Sequence, residues 1–275
     1  MEQTRRSFLK TSALTSVGSG VITGSSPLLA RPSHKLNLAL ASYSLRKFPV
    51  NYVISAMKRL RLTGITLKSF HLPLESGQSA IAEVRSVFKQ HQIDVYGCGV
   101  IGMKNAADVE RAFTYAESLG AGVIVASPRL EVLDLVEQYV AEYGIKVAIH
   151  NHGPDDVFPG PRRINELLKG RHPDLGICID IGHTIRNGED PAEALHLYGS
   201  RIFDVHFKDV SVAGKEGQTV VAGSGVIDLR SVVQALVETE YAGRVAIEFE
   251  PYADDPMPSI AECLGYLRGI AGEHV

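Results

Sequence analysis

Short apolar runs rich in β-branched residues alternate along the chain with longer segments in which apolar positions recur every three or four residues. The short runs are typical of buried strands, and the longer spacing is typical of amphipathic helices. The pattern predicts eight strands, near residues 36–42, 64–70, 93–98, 122–126, 145–150, 175–180, 201–207 and 244–250. Strands and helices therefore alternate along most of the chain.

Helix-capping residues support this alternation. Apolar residues at helical spacing run over 108–116. Asp190 precedes Pro191, and proline is favoured at the first position of a helix. Asp228 precedes an apolar-periodic segment over 229–237, where an aspartate can accept hydrogen bonds from the first free N–H groups.

Eight consecutive βα units predict a parallel sheet that closes into a (β/α)8 TIM barrel, an α/β fold formed by residues 31–275 as a single domain. The alternative is a doubly wound open sheet, which usually has fewer strands and a glycine-rich loop after the first strand. The chain reads Ala41-Ser42-Tyr43-Ser44 at that point and has no such loop. A closed barrel is therefore the predicted fold.

Side chains of the kind that bind metal ions stand at the ends of four consecutive predicted strands: His150, Asp180, His206 and Glu248. The C-terminal ends of barrel strands meet at one face, where such folds place their active sites. Side chains alternate in direction along a strand, so parity puts all four on the interior side. The sequence predicts that they converge.

A mixture of imidazole and carboxylate ligands suits Mn, Co, Fe or Zn better than Ca, which prefers oxygen ligands throughout. Four such ligands leave positions on a five- or six-coordinate ion for substrate oxygens. We therefore predict a divalent metal ion as the cofactor of an enzyme.

Other polar side chains lie close to the predicted strand ends. We predict catalytic roles for Lys68, His183, Lys208 and Glu248, and substrate-binding roles for His71, His152 and Glu250. Simpler interpretations stay open. Lys68 would be a surface residue, His183 an ordinary loop histidine, Lys208 a partner of Asp209, and Glu250 a rim salt bridge or a support for a metal ligand.

The order of short motifs in the second half of the chain is distinctive. The motifs are Ile149-His150-Asn151-His152-Gly153-Pro154, Asp180-Ile181-Gly182-His183-Thr184, Asp204-Val205-His206-Phe207-Lys208-Asp209, Gly223-Ser224-Gly225-Val226-Ile227-Asp228 and Ile247-Glu248-Phe249-Glu250. Together they resemble the xylose isomerase-like TIM-barrel superfamily. That superfamily includes sugar phosphate isomerases/epimerases, ketose 3-epimerases, inosose dehydratases and endonuclease IV.

In the epimerase members the metal is held by Glu, Asp, His and Glu, and the two Glu residues exchange the proton. The resemblance implies that Asp180, His206 and Glu248 are the second, third and fourth ligands. His150 stands where the family usually has the first Glu. A metal-bound imidazole is a poorer proton shuttle than a carboxylate, which argues against a symmetric mechanism with two Glu residues.

We expect a divalent-metal-dependent sugar isomerase or epimerase that removes a proton next to the carbonyl of a keto-sugar or sugar derivative. Because His150 replaces the first Glu of the family, a lyase that carries out β-elimination on 3-keto-glycosides is the alternative. A non-catalytic periplasmic sugar-binding barrel is a third interpretation. Motifs of serine hydrolases, P-loop kinases and His-Glu-x-x-His proteases are absent from the sequence.

The beginning of the chain resembles a twin-arginine export signal. It reads Thr4-Arg5-Arg6-Ser7-Phe8-Leu9-Lys10, followed by a mildly apolar stretch up to residue 30. We expect residues 1–30 to be a signal peptide that engages the twin-arginine export machinery and directs the protein to the periplasm. Glycines interrupt the apolar stretch, which argues against a stable membrane anchor.

The charge and the cysteines narrow the choice of partners. Removing residues 1–30 takes away three Lys or Arg and one Glu, so the formal charge moves from −3 to −5. An acidic protein is poorly suited to nucleic acid, and a small-molecule carbohydrate is the expected partner. Cys98, Cys178 and Cys263 are scattered and odd in number, as expected of buried thiols. The sequence is also compatible with a homo-oligomer.

The export signal gives a direct prediction. Replacing Arg5 and Arg6 together with Lys should trap the precursor in the cytoplasm, because the export machinery reads the arginine pair. Cell fractionation followed by immunoblotting measures the outcome. Unchanged accumulation of the double variant in the periplasm would contradict the assignment.

Overall fold

The computed structural model describes residues 35–272, and the prediction of a single closed (β/α)8 barrel is confirmed there. The barrel strands are β1 (Asn37–Ala41), β2 (Gly64–Leu67), β3 (Asp94–Met103), β4 (Val123–Pro128), β5 (Lys146–His150), β6 (Leu175–Asp180), β7 (Ile202–Phe207) and β8 (Arg244–Ile247). Neighbouring strands are parallel, and β1 pairs with both β2 and β8, which closes the barrel. The predicted signal peptide lies outside the described residues.

Helices surround the strands. They are α1 (Val50–Leu60), α2 (Gln78–Gln90), α3 (Ala106–Leu119), α4 (Leu133–Tyr143), α5 (Pro161–Leu167), α6 (Ile181–Arg186), α7 (Pro191–Tyr198), α8 (Leu229–Glu238) and α9 (Met257–Ile270). The Asp190 and Asp228 side chains cap α7 and α8 as predicted. Among residues 35–272, no helix has the length and apolar character needed to span a bilayer.

Small side chains fill much of the barrel interior. Two interior clusters consist of Ala39, Ala41 and Ala246, and of Val125, Ala148 and Cys178. On β6, Ile177 and Ile179 point the other way and join the large core between the strands and the helices. This alternation is the one that parity predicts. It keeps the bulky apolar side chains outside the barrel and leaves its C-terminal end to polar groups.

Two strands end earlier than the sequence pattern indicates. β2 stops at Leu67 and β8 stops at Ile247, whereas the apolar pattern extends both strands by three residues. Lys68 and Glu248 therefore begin the loops at the C-terminal face. Each predicted extension holds one apolar residue: Phe249 is buried outside the strand, and Phe70 is 59% exposed.

The third strand is longer than predicted, because it continues from residue 98 to Met103. Its register with β4 shifts between Gly99 and Ile101. Gly99 has a φ of +135°, and a Cβ at this position would collide with the carbonyl of Val125. Glycine is therefore required for the irregularity that lets β3 continue.

A buried carboxylate organises the long connection after β7. Asp209 is fully buried and accepts hydrogen bonds from the backbone N–H groups of Gly223, Gly225 and Ile227 at 2.9, 2.9 and 3.2 Å. A Cβ on Gly225 would collide with the Asp209 side chain. The predicted glycine motif thus wraps around Asp209 just before α8.

Asp209→Asn should lower the free energy of unfolding by about 1–3 kcal/mol, because an amide group replaces part of the acceptor surface that the N–H groups of Gly223, Gly225 and Ile227 require. Urea denaturation followed by circular dichroism measures the change. As the control, Asp254→Asn alters a side chain that is 88% exposed and should leave stability nearly unchanged. Equal effects of the two substitutions would contradict the structural role of Asp209.

Candidate active site

The structure brings four of the predicted site residues together at the C-terminal end of the barrel. His150 and Asp180 end β5 and β6, His206 lies near the end of β7, and Glu248 follows β8 directly. One nitrogen or oxygen atom of each lies within 4.8 Å of the others, and all four side chains are buried. Their convergence agrees with their strand positions, while their roles as ligands stay a prediction.

The separations between donor atoms resemble those around one metal ion. His206 Nδ1 lies 3.0 Å from His150 Nε2 and 3.3 Å from a Glu248 oxygen, and His150 Nε2 lies 3.6 Å from an Asp180 oxygen. Ligands that are each about 2.1 Å from an ion stand roughly 3 to 4.2 Å apart. The four side chains therefore fit a divalent ion.

Buried hydrogen bonds that the sequence analysis missed fix the backbone beside two of these residues. The Asn151 side chain accepts from the N–H of Asp180 at 2.9 Å and donates to its carbonyl at 3.1 Å. The Ser44 hydroxyl accepts from the N–H of Phe249 at 2.9 Å, next to Glu248. Asn151 lies inside a motif that the sequence analysis quoted, whereas nothing local marks Ser44.

Lys208 lies at the centre of the ionic contacts. Its Nζ is 2.8 Å from Asp180, 2.7 Å from Glu248 and 2.6 Å from Glu250, and its side chain is 1% exposed. It does not pair with Asp209, which is occupied by backbone N–H groups. Lys208 thus belongs to the site itself.

These contacts set the charges of the site. Burial alone would lower the pKa of Lys208, but the surrounding carboxylates raise it well above its ordinary value. Burial alone would raise the pKa of Asp180 and of Glu248, but the Lys208 ammonium holds both well below their usual range. The lysine therefore keeps its proton and the carboxylates stay ionised.

The two histidines differ in charge. Burial lowers the pKa of His150 well below its ordinary value, so its ring is neutral and able to offer a lone pair. Burial would do the same to His206, but the ionised Glu248 beside its Nδ1 raises the pKa of His206 well above its ordinary value. With His206 protonated, the three carboxylates outnumber the positive charges of Lys208 and His206 by one. A metal ion that displaces the His206 proton would meet two negative charges, which a divalent ion would balance.

The far side of His206 faces a buried carboxylate. His206 Nε2 lies 3.8 Å from Asp204, whose oxygens accept hydrogen bonds from the Tyr96 hydroxyl at 3.1 and 3.2 Å. Burial raises the pKa of Asp204 to about 6. Strand parity placed Asp204 on the same side as His206, but the contact with Tyr96 crosses the barrel and has no local signal.

A second set of donor atoms overlaps the first. His150, Cys178 and His206 also lie within 4.8 Å of one another. Burial raises the pKa of Cys178 to about 12, so its thiol stays protonated and is a poor ligand. The set that contains Asp180 and Glu248 is therefore the better match to a metal ion.

Lys68 and His71 both lie in the loop after β2, and each contacts a backbone carbonyl. Lys68 Nζ donates to the carbonyl of Val100 at 3.0 Å and lies 5.6 Å from the centre of the Tyr43 ring. Burial lowers the pKa of Lys68. His71 is buried, with Nε2 3.0 Å from the carbonyl of Ser42. Lys68 is not a free surface residue, and His71 helps to hold two loops together.

The remaining predicted residues, the catalytic candidate His183 and the substrate-binding candidates His152 and Glu250, surround the four-residue cluster. The ring centres of His152 and His183 lie 4.3 and 6.0 Å from that of His150. The Glu250 side chain is 39% exposed, so it reaches from Lys208 toward solvent. These groups are placed where a substrate entering the barrel mouth would meet them.

A separate cavity of about 820 Å³ lies at the opposite end of the barrel. Its lining includes the first residues of several strands, among them Val123, Lys146 and Arg244, and none of the predicted site residues. Barrel enzymes place their chemistry at the C-terminal ends of the strands. We therefore locate the functional site at the buried cluster and not in the larger cavity.

The sequence matches the family model described as xylose isomerase-like TIM barrel over residues 56–270, and the chain belongs to this family. The eight-stranded closed barrel agrees with that assignment.

A curated protein of known activity is similar to part of the chain. The chain is 31% identical over 144 residues to an inosose dehydratase of Lacticaseibacillus casei, an alignment that covers 46% of this chain and 48% of that protein. The chain thus spans about half the length of the curated relatives that it matches.

Two solved structures share the fold. One is the IOLI protein with a bound zinc atom, with a TM-score of 0.74 and 17% identity over 87% of this chain and 99% of that chain. The other is a probable 3-DHS dehydratase from Bacillus anthracis, with a TM-score of 0.69 and 16% identity over 84% of this chain and 98% of that chain.

Elemental analysis of the purified protein tests the donor set. Asp180→Asn should weaken metal binding at least about 100-fold, because even the loss of a partner behind a ligand costs 10- to 100-fold. His150→Glu should retain the ion, and Cys178→Ser is the control that should also retain it. Metal loss in Cys178→Ser with retention in Asp180→Asn would favour the alternative donor set.

Proposed function

We propose that this protein is a divalent-metal-dependent lyase that removes a proton next to the carbonyl of a keto-sugar or related polyol and then eliminates a group from the neighbouring carbon. The observation that carries the proposal is the asymmetry of the site, in which the donor atom on β5 that lies within 4.8 Å of the Glu248 carboxylate belongs to the neutral ring of His150 and not to a second Glu. The similarity to inosose dehydratases supports the same chemistry.

His150, Asp180, His206 and Glu248 are the residues that would hold the ion. When bound, a divalent ion supplies Lewis-acid stabilisation of the negative charge that develops on a substrate oxygen as the proton leaves. The bound zinc of the IOLI protein supports this assignment.

We assign the base to Glu248. Its side chain is 10% exposed at the barrel mouth, whereas the Asp180 side chain is completely buried. Glu248 is ionised, so it can accept a proton from a substrate carbon that lies against it. Asp180 contacts Lys208, His150 and the backbone N–H of His183, so we assign it the role of a fixed negative charge.

Lys208 acts as a fixed positive charge in this proposal. Its pKa is raised well above the ordinary value by the three carboxylates, so it holds its proton through the reaction. Its ammonium keeps Glu248 ionised and positions Glu250 beside the substrate space. Lys68, whose pKa burial lowers, is better suited to transfer a proton to a leaving group.

The second candidate is the isomerase or epimerase that the family resemblance implies. Epimerisation returns a proton to the opposite face of the same carbon, which calls for a second acid or base across from Glu248. His150 stands where the family usually has that Glu, and an imidazole bound to the ion through one nitrogen is a poorer proton shuttle than a carboxylate. Elimination requires only one base, so the donor set favours it.

We also propose that the protein works in the periplasm, on the basis of the Arg5-Arg6 pattern alone. Phosphorylated sugars are mostly cytoplasmic, so a neutral keto-sugar, keto-cyclitol or 3-keto-glycoside is the substrate class that fits this location.

Incubation with candidate keto-sugars, keto-cyclitols and 3-keto-glycosides in deuterated water tests the proposal. Deuterium should enter the carbon beside the carbonyl, and exchange should fall by about 10²- to 10⁴-fold in Glu248→Gln, which loses the base. Glu250→Gln is the matched control, because it removes a neighbouring carboxylate while leaving the base in place.

Product analysis by NMR distinguishes the reactions. Loss of water or an aglycone with formation of an unsaturated product supports the lyase, an inverted centre supports an epimerase, and a moved carbonyl supports an isomerase. Metal-loaded protein that gives no exchange and no product across the panel would overturn the proposal in favour of a sugar-binding barrel.

A further inference from the structure

The tautomer of His183 can be read from its contact with Arg186. The two residues lie one turn apart on α6, and Arg186 Nη1 is 2.9 Å from His183 Nδ1. A guanidinium carries only donors and does not lose its proton in proteins. The arginine must therefore donate, and Nδ1 must accept.

This contact determines the protonation of the second ring nitrogen, Nε2. A neutral imidazole that accepts at Nδ1 carries its single proton on Nε2, whereas an imidazolium would set donor against donor. His183 Nε2 faces the catalytic cluster, 4.0 Å from an Asp180 oxygen. His183 therefore presents an N–H group to the site.

The arginine is itself anchored. Its Nη2 donates to the carbonyl of Lys215 at 3.0 Å, in the loop between the two paired segments Asp209–Val210 and Thr219–Val220. A Cβ on Gly217 would lie 3.1 Å from Arg186 Cγ, so this loop packs closely on the side chain. The guanidinium is thus fixed between the loop and the histidine.

The ring of His183 is also restrained on its other sides. Its backbone N–H donates to Asp180 Oδ1 at 2.8 Å, which caps the start of α6. A Cβ on Gly153 would lie 3.4 Å from His183 Nδ1, so the neighbouring loop leaves room for the ring but little beyond it. The His183 side chain is 16% exposed, enough to meet a substrate.

We propose that Arg186 is a positioning residue that fixes His183 as the Nε2–H tautomer, so that His183 donates a hydrogen bond to a substrate oxygen and does not act as the base. The donation to substrate rests on the proposed function, whereas the tautomer does not. This division of roles leaves proton removal to Glu248.

Imidazole ¹⁵N NMR of the zinc-loaded mature protein tests the tautomer without any substrate. With signals assigned through His183→Gln, wild-type His183 should show a protonated Nε2 and an unprotonated Nδ1. Arg186→Met should give a mixture of tautomers. Lys215→Ala is the matched control and should leave the spectrum unchanged, because Arg186 bonds only to the backbone carbonyl of that residue.

A protonated Nδ1 in the wild-type protein, or the same single tautomer in Arg186→Met, would overturn the proposal. Circular dichroism and metal content establish that the variants are folded and loaded. If the expected spectra are obtained but no substrate exchanges deuterium, the proposed function fails while the tautomer assignment stands.

Kinetics separate a donor from a base. His183→Leu should lower kcat by about 10²- to 10³-fold, the usual effect of removing one donor to a developing negative charge. His183→Gln should retain more activity, because its amide can still donate. Equal loss in both variants would identify His183 as a base and contradict the donor role. Arg186→Met should lower kcat with little change in metal content.

Discussion

The burial of the Lys208 ammonium among Asp180, Glu248 and Glu250 is the interaction on which the site depends. Removing a charge from water costs several kcal/mol unless it is closely paired. The three carboxylates lie at the ends of β6 and β8, on either side of the strand that carries the lysine. The pairing of β7 with β6 and β8 is thus what makes this cluster of charges tolerable.

The same cluster gives its members different chemistry. Full burial and several contacts restrict Asp180 to holding charge, while partial exposure lets Glu248 meet a substrate. His150 is kept neutral by burial, and the arginine contact keeps His183 a donor. The site is therefore asymmetric, and in the proposed function Glu248 is the base and His183 is a hydrogen-bond donor beside it.

From the end of β7 onward, successive side chains point to opposite sides, and the two sides have different roles. His206 and Lys208 turn into the barrel, whereas Asp209 turns away and binds the N–H groups of the glycine-rich segment. The paired segments that follow carry the loop that holds Arg186. Folding of this connection and arrangement of the site are consequently linked.

The sequence by itself determined the eight strands, the caps of α7 and α8, and the face on which His150, Asp180 and His206 lie. Each of these follows from local periodicity or from hydrogen bonds a few residues apart. The apolar pattern predicted the ends of β2 and β8 three residues too late. A strand ends where it loses its hydrogen bonds to the neighbouring strand, and the spacing of apolar residues does not record that loss.

The tertiary structure alone decided the partners of the polar groups. Lys208 and Glu248 are 40 residues apart, Asn151 and Asp180 are 29 apart, and Ser44 and Phe249 are 205 apart. The charge of each group follows from those contacts and from burial, and so does the better match of the donor set with Asp180 to a metal ion than that of the set with Cys178. Burial and long-range pairing set the pKa of a side chain, and neither exists until the barrel closes.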